Sequence, residues 1–342
     1  MSRGVGEFGP IQETIPEWAA LVVALVTQLG DVWFLALVVG LLYWVRGSER
    51  DDAAVVVGFT VAGLSLISAL KHVFALPRPD QPLVLLETLP WMIQPLYEAT
   101  AMASGYGFPS GHALMTTVVY VTLAHRLSIG THRQRFAVAG TIIAAVCVSR
   151  IALGVHYLVD IVAGVGVGLA FVLIGEWLLA RIAVDQGTVA FTLAVVFSAS
   201  NLLVGGADTD GVLLLGTALG AFAGWQLIVL GRRLVDCERP SAAVRPLALH
   251  GGLALGAVVP LVGALETFPL LSLPAAGGAV GLAVGAFITV PIARHSRFVQ
   301  RFLTALGFWS RMAALGVRYV LTPATWRRTY TQGRAYVGRL RQ

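Results

Sequence analysis

The sequence predicts an all-α fold, a polytopic membrane helical bundle of about nine transmembrane helices plus an N-terminal interfacial helix. Three observations carry that expectation. The 342 residues are 57% hydrophobic and only 12% charged, about half the ~25% charge of an ordinary water-soluble domain. Apolar runs of about 18 residues recur, each long enough to cross a hydrocarbon core of ~30 Å. The cations fall mostly between those runs, as loop charges do in membrane proteins. A soluble enzyme, a disordered chain and a disulfide scaffold are excluded. Cys147 lies in an apolar run and Cys237 in an Arg-rich loop; they are poor disulfide partners and give no zinc spacing.

In chain order, residues 17–29 (EWAALVVALVTQL) are too short to span and read as an interfacial helix leading through Gly30 and Asp31. One long bent helix is the alternative. Spans are expected at 31–46, 53–71, 109–126, 136–153, 156–181, 188–206, 211–231, 247–265 and 275–294. This divides the chain into an N-terminal segment (1–30), a five-span core (31–186), a four-span module (187–295) and a tail (296–342). No basic n-region precedes an apolar stretch, so no signal peptide is expected.

Loop charge sets the orientation. Of 24 cations, 23 are Arg and one is Lys, Lys71. One set of loops, with the tail from Arg294 to Arg341, holds 20 of them, including Arg46, Arg50, Arg126, Arg133, Arg135, Arg181, Arg232, Arg233, Arg239 and Arg245. The other side holds Arg3, Lys71, Arg78 and Arg150. The excess marks the cytoplasmic side, so the N-terminus is expected outside and the C-terminus inside. Three of the four outward cations adjoin the conspicuous polar motifs, so something besides topology placed them.

The first motif closes the second span, from Lys71 through Arg78 to Pro79. Snorkelling would explain two cations at a membrane exit, but a lone lysine in an arginine-using chain argues for a specific task. The second is Pro109-Ser110-Gly111-His112 at the start of the third span. Proline suits a first helical position, and the free N–H groups behind it form an anion site. An ordinary helix cap is an equal reading of that tetrapeptide. The third is Ser149-Arg150, then His156 and Asp160. The last two share a helix face at i and i+4, and an acid one turn into an apolar span needs a partner. A structural polar pair at the bend near Gly154 is the bland alternative. Taken together, three cations and several N–H donors suit phosphate oxygens, and two imidazoles suit nucleophile and proton donor. No carboxylate cluster is present to hold Mg²⁺, so no metal and no cofactor are expected.

These three strings, K-x6-R-P, P-S-G-H and S-R-x5-H-x3-D, resemble without departure the signature of the type 2 phosphatidic acid phosphatase superfamily. The resemblance covers roughly residues 17–181. It implies a metal-independent, membrane-embedded phosphatase; with the loop charges, the expected activity is on a lipid phosphate or polyprenyl diphosphate at the outer face. It implies that His156 becomes a phosphohistidine, Asp160 orients it, and His112 protonates the leaving group. It implies that Lys71, Arg78, Ser110, Gly111 and Arg150 cradle the phosphate. A lipid-linked phosphotransferase, or a transporter or scramblase with a phosphatase-like half, are the alternatives.

Two regions lie beyond the smallest members. Loop 72–108 carries Leu83, Leu85, Leu86, Trp91, Met92, Ile93, Tyr97 and Phe108 and reads either as a lid or as a folded plug. The last four spans carry glycine ladders, Gly216, Gly220, Gly224 and Gly277, Gly281, Gly285. Glycine every fourth residue reads first as close packing and second as a homodimer face. The turn with Asp208 and Asp210 reads as a solvated loop, and His250 as a satisfied polar side chain. The tail interleaves Arg with aromatic residues, as an inner-leaflet surface helix does. Partners are therefore lipids and no nucleic acid.

Overall fold

The computed structural model describes residues 4–293 except 7, 17–18, 46–48, 80–81, 85, 89–90, 93 and 102–104. The cationic tail expected at 296–342 lies outside the described residues, as do Leu85 and Ile93. Two compact units are distinguished, Met1–Thr289 and Val290–Gln342; the second contributes only the end of the last helix to the described residues.

The regular elements among the described residues are helices. They are α1 (Phe8–Gln12), α2 (Ala19–Thr27), α3 (Val32–Val45), α4 (Arg50–Phe74), α5 (Gln94–Ala101), α6 (Gly111–Arg126) and α7 (His132–Ala152). There follow α8 (Leu158–Arg181), α9 (Gln186–Gly205), α10 (Thr209–Val235), α11 (Val244–Pro246), α12 (Gly252–Thr267) and α13 (Leu273–Ala293). A π-helical turn, Leu247–Gly251, joins α11 to α12.

Each of the nine expected segments corresponds to a helix. Among the described residues, seven helices are by themselves long and apolar enough to cross a membrane, or eight if the bent pair Ala19–Gly30 and Val32–Val45 is one span. The chain is a multi-pass membrane protein. α2 and α3 meet at 48°, through a 3₁₀ turn, Gln28–Gly30, and Asp31. α6 has only 16 residues, about 24 Å at ~1.5 Å per residue. It is packed by α4, α7 and α8, and a helix enclosed by protein has no need to match the lipid thickness.

Local chemistry fixes the helix ends. Ser110, Thr131, Asp185 and Asp208 accept the N–H groups of Ala113, Gln134, Thr188 and Gly211 at the starts of α6, α7, α9 and α10, satisfying donors a helix start leaves orphaned. Pro109 therefore stands before the cap, two residues ahead of the first helical position, Gly111. α4 ends at Ala75, whose φ of 48° is left-handed and turns the chain sharply into the extended stretch with Arg78.

The core is built on close approach. A Cβ on Gly164 would stand 2.6 Å from the Ser110 carbonyl oxygen, so α8 lies directly on the start of α6. Phe59 of α4 packs edge-on to Phe171 of α8, with ring centres 5.3 Å apart. The most extensive packing is of α9 along α4. There a Cβ on Gly58 would meet Ala190 at 2.8 Å, and the buried hydroxyls of Ser65 and Ser198 are 2.7 Å apart. The two glycine ladders face each other within the chain. A Cβ on Gly216 would lie 2.1 Å from the Gly277 oxygen, and one on Gly220 1.8 Å from that of Gly281. The backbones of α10 and α13 touch there because neither carries a side chain.

Helices of alternating direction sort their ends into two groups. At one end are the starts of α4, α7 and α9 with the ends of α6, α8 and α10. Arg126 contacts Asp52 at 3.0 Å and also Glu176, and donates to Gln186 at 2.8 Å. Arg232 pairs with Asp51 at 2.8 Å. Lys71 lies about twenty residues along α4 from these acids, ~30 Å away by helical rise. The three polar motifs lie at that far end.

Candidate active site

Four segments deliver the motif side chains to one place. Lys71 leaves the last turn of α4, and a Cβ on Gly111 would lie 3.6 Å from its Nζ. Arg78 comes from the extended stretch after α4. Its Nη1 lies 3.1 Å from His156 Nε2 and donates to the Val155 carbonyl at 3.4 Å. Gly107 holds that stretch in place: its N–H donates to the Leu76 carbonyl at 2.7 Å, and a Cβ on it would crowd Arg78 Cα at 3.0 Å. Arg150, near the end of α7, is 1% exposed; its Nη1 donates to Thr27 Oγ1 at 3.0 Å and the Thr100 carbonyl at 3.2 Å.

His156 lies in the turn between α7 and α8 and is 1% exposed. Its Nδ1 is 3.6 Å from Asp160 Oδ2, and that same oxygen accepts the Tyr157 N–H at 3.0 Å. The tautomer follows from the neighbours. A guanidinium only donates, so Arg78 requires the lone pair on Nε2, and the ring proton then sits on Nδ1, facing the carboxylate. Burial first, then the charges of Arg150 and Arg78, hold the imidazole well below its ordinary value. His156 is thus a neutral ring whose Nε2 faces the Arg78 guanidinium.

Lys71, Arg78, His112, Arg150, His156 and Gly111 line one cavity of about 420 Å³, a volume ordinary for a small-molecule site. Ser110 and Asp160 do not line it. Ser110 is fully buried, and its hydroxyl accepts the Ala113 N–H at 3.4 Å. It shapes the start of α6, and its backbone N–H donates to the Asp160 carbonyl at 3.0 Å. Asp160 stands behind His156. Among the described residues no group of three His, Cys, Asp or Glu side chains is placed to hold a metal ion.

Sequence reasoning missed several partners. Asp31, at the bend between α2 and α3, places Oδ1 3.3 Å from His112 Nε2. Thr27 and Thr100 hold Arg150. Asp210, read as part of a solvated loop, lines the cavity with Leu213, Leu214 and Thr217 of α10. Its neighbour Asp208 caps α10 and faces His72 at 3.4 Å. A helix-spaced stripe facing the cavity was the one available signal, since residues 210, 213, 214 and 217 fall on one side of α10.

The loop expected as a lid or as a folded plug is partly packed on the body of the protein. Tyr97 is buried among Ala20, Ala24, Leu153 and Val155, and its hydroxyl accepts the Val84 N–H at 2.9 Å. Trp91 and Met92 are exposed.

Comparison with known proteins agrees with the motifs. Residues 53–184 match the family model of the PAP2 superfamily. Phosphatidylglycerophosphatase B of Bacillus subtilis (strain 168) is 31% identical over 83 residues, 22% of this chain and 41% of that protein. Lipid phosphate phosphatase delta of Arabidopsis thaliana is 30% identical over 118 residues, 32% of this chain and 26% of that protein. The chain thus spans less than half the length of these relatives. No solved structure matches it. Residues 53–184, from the first turn of α4 to just past α8, are the part of the chain that is similar to the PAP2 superfamily.

Proposed function

We propose that the protein hydrolyses the phosphate ester of a membrane lipid, a lipid monophosphate or a polyprenyl diphosphate, through a phosphohistidine at His156. The observation that carries this reading is the meeting of Lys71, Arg78, Arg150, His112 and His156 on one cavity whose far wall is apolar. The relatives' names, a phosphatidylglycerophosphatase and a lipid phosphate phosphatase, agree with it.

The chemistry balances without a metal. The Nε2 lone pair of His156 forms a bond to phosphorus as the P–O bond to the lipid alcohol breaks. Protonated His112 gives its proton to the departing oxygen. Lys71, Arg78, Arg150 and the N–H groups at the start of α6 hold the three non-bridging oxygens, whose charge spreads in the transition state. Asp160 stabilises the Nδ1 proton as the ring becomes cationic. Water then attacks phosphorus, neutral His112 takes its proton, and the N–P bond breaks to release phosphate. Asp31 holds His112 in place throughout. The cavity end is assigned to the outer face, because the opposite end carries the arginine excess.

The test is phosphate release in detergent across phosphatidate, phosphatidylglycerol phosphate and isoprenoid mono- and diphosphates. The expected result is turnover without added metal, inhibition by vanadate, and an acid-labile ³²P label on the wild type that His156→Ala lacks. Turnover by His156→Ala at the wild-type rate overturns the reading. Transfer of label to an added alcohol at the expense of water would make the protein a phosphotransferase.

A further inference from the structure

Residues after 184 fall outside the PAP2 match, yet α10 reaches the cavity. α9 packs along α4 and α10 packs on α9, which brings the first half of α10 beside the last half of α4. Two stripes face the cavity. On α4 they are Leu64, Ile67, Ser68 and Lys71; on α10, Asp210, Leu213, Leu214 and Thr217. Both have the i, i+3, i+4, i+7 spacing of one helix face, and each covers about 10 Å of helical rise. They run in opposite directions, so Lys71 and Asp210 lie at the mouth while Leu64 and Thr217 lie deep. Met115 of α6 adds an apolar side chain one turn below His112.

The cavity is therefore polar at one end and apolar at the other. A phosphate fills only the cationic end. We propose that the Leu213–Leu214 step of α10 is the wall against which the hydrocarbon next to the phosphate lies, so that α10 selects the substrate's chain. This inference rests on the phosphatase reading above. The occupant is fixed by continuity: whatever fills the apolar part is covalently joined to the group held by Lys71, Arg78 and Arg150. An alkyl chain entering from the bilayer or micelle keeps an apolar surround against such a surface, which a wall of charged groups would deny it. A small water-soluble phosphate ester has no long chain to lay along it.

The experiment compares long-chain phosphatidate with p-nitrophenyl phosphate, each as kcat/KM, on wild type and on Leu213→Trp and Leu214→Trp. The ratio of the lipid value to the soluble value falls about tenfold or more in the variants. A ratio within about twofold of wild type overturns the wall. Should the indole prevent folding, a phosphatidate analogue carrying a diazirine on its first chain carbons is irradiated with the wild type and the labelled peptides are mapped. Label on residues 209–217 supports the wall, and label confined to α3–α8 overturns it. A wild type that turns over neither substrate defeats the phosphatase reading itself; one that turns over both while the ratio holds defeats only the wall.

Discussion

His112 and Asp31, 81 positions apart in sequence, meet with Nε2 3.3 Å from Oδ1. Gly30 makes the approach feasible. A Cβ on it would lie 3.0 Å from His112 Cδ2 and 2.9 Å from Thr116 and Val146 side chains. The bend between α2 and α3 therefore sits directly against the start of α6, and the carboxylate next to it faces the imidazole. The site then holds two His–Asp pairs, with Asp160 behind His156 as the other.

If Asp31 positions the proton donor, its loss should matter most where the departing oxygen most needs a proton. Asp31→Asn is expected to lower kcat about 10- to 100-fold on an alkyl phosphate, and several-fold less on an aryl phosphate. KM should change little. A purely structural residue would lower both substrates alike, so parallel kinetics on a lipid phosphate and p-nitrophenyl phosphate decide the point. Equal losses would remove Asp31 from the mechanism.

Asp160 acts on the other histidine. With Nδ1 facing Asp160 and Nε2 facing Arg78, Asp160→Asn removes the charge that stabilises the cationic ring and frees the tautomer. The expected loss is about 10³- to 10⁴-fold in kcat, with the helical circular dichroism unchanged. The residual enzyme should label slowly with ³²P on His156 rather than on another residue. Rapid labelling would show that the carboxylate is only a cap for Tyr157.

Acid should destabilise the protein through His156. Burial holds its imidazole well below its ordinary value in the fold, while the unfolded chain titrates near about 6.5. Above that pH both states are neutral and the residue contributes no pH dependence. As pH falls below about 6.5 the unfolded state takes up a proton that the folded state refuses, so stability falls. His156→Ala should lose less Tm than wild type between about pH 7 and pH 5. Identical slopes in a detergent melt would show that the ring is protonated in the fold.

The split between legible and hidden residues has a physical basis. Lys71, Arg78, His112, Arg150 and His156 were readable because each is an expensive side chain beside an apolar run, and such residues stand out one at a time. Asp31 was passed over as part of a lead into a helix, because its value depends on a contact across the fold that no periodicity announces. Ser110 stayed ambiguous: a serine before a helix fits an anion site and an N-cap equally, and its Oγ accepts from Ala113. The α10 stripe was present in the sequence, but a helix face has meaning only once the facing helix is known. The shortness of α6 was not legible, because apolarity reports burial, and burial in protein looks the same as burial in lipid. The glycine ladders are close packing, now with named partners.

At the end away from the cavity, Arg126 holds Asp52, Glu176 and Gln186 together and thereby ties α6 to the ends of α4, α8 and α9. Arg126→Ala leaves Glu176, a largely buried carboxylate, without its guanidinium. A cost of about 1–3 kcal/mol is expected, below that of a fully buried pair because Asp52 is 41% exposed. The activity of the folded fraction at low temperature should match wild type, since these groups lie ~30 Å from the cavity by helical rise. A Tm unchanged within error would show that the network is a surface ornament.

The two helix-end groups also give the orientation a direct test. Ile129 lies in the turn between α6 and α7, at the arginine-rich end, and is 58% exposed; Leu271 lies between α12 and α13, at the cavity end, and is fully exposed. Neither belongs to the cavity lining. With Cys237 replaced by Ser, a single cysteine is placed at one position or the other; the remaining Cys147 is buried. If the loops with most arginines stay on the cytoplasmic side, Leu271→Cys reacts with a membrane-impermeant maleimide in intact cells. Ile129→Cys then reacts only after the membrane is opened. The reverse pattern would put the cavity on the inner face, and the proposed substrate would be a lipid of the cytoplasmic leaflet.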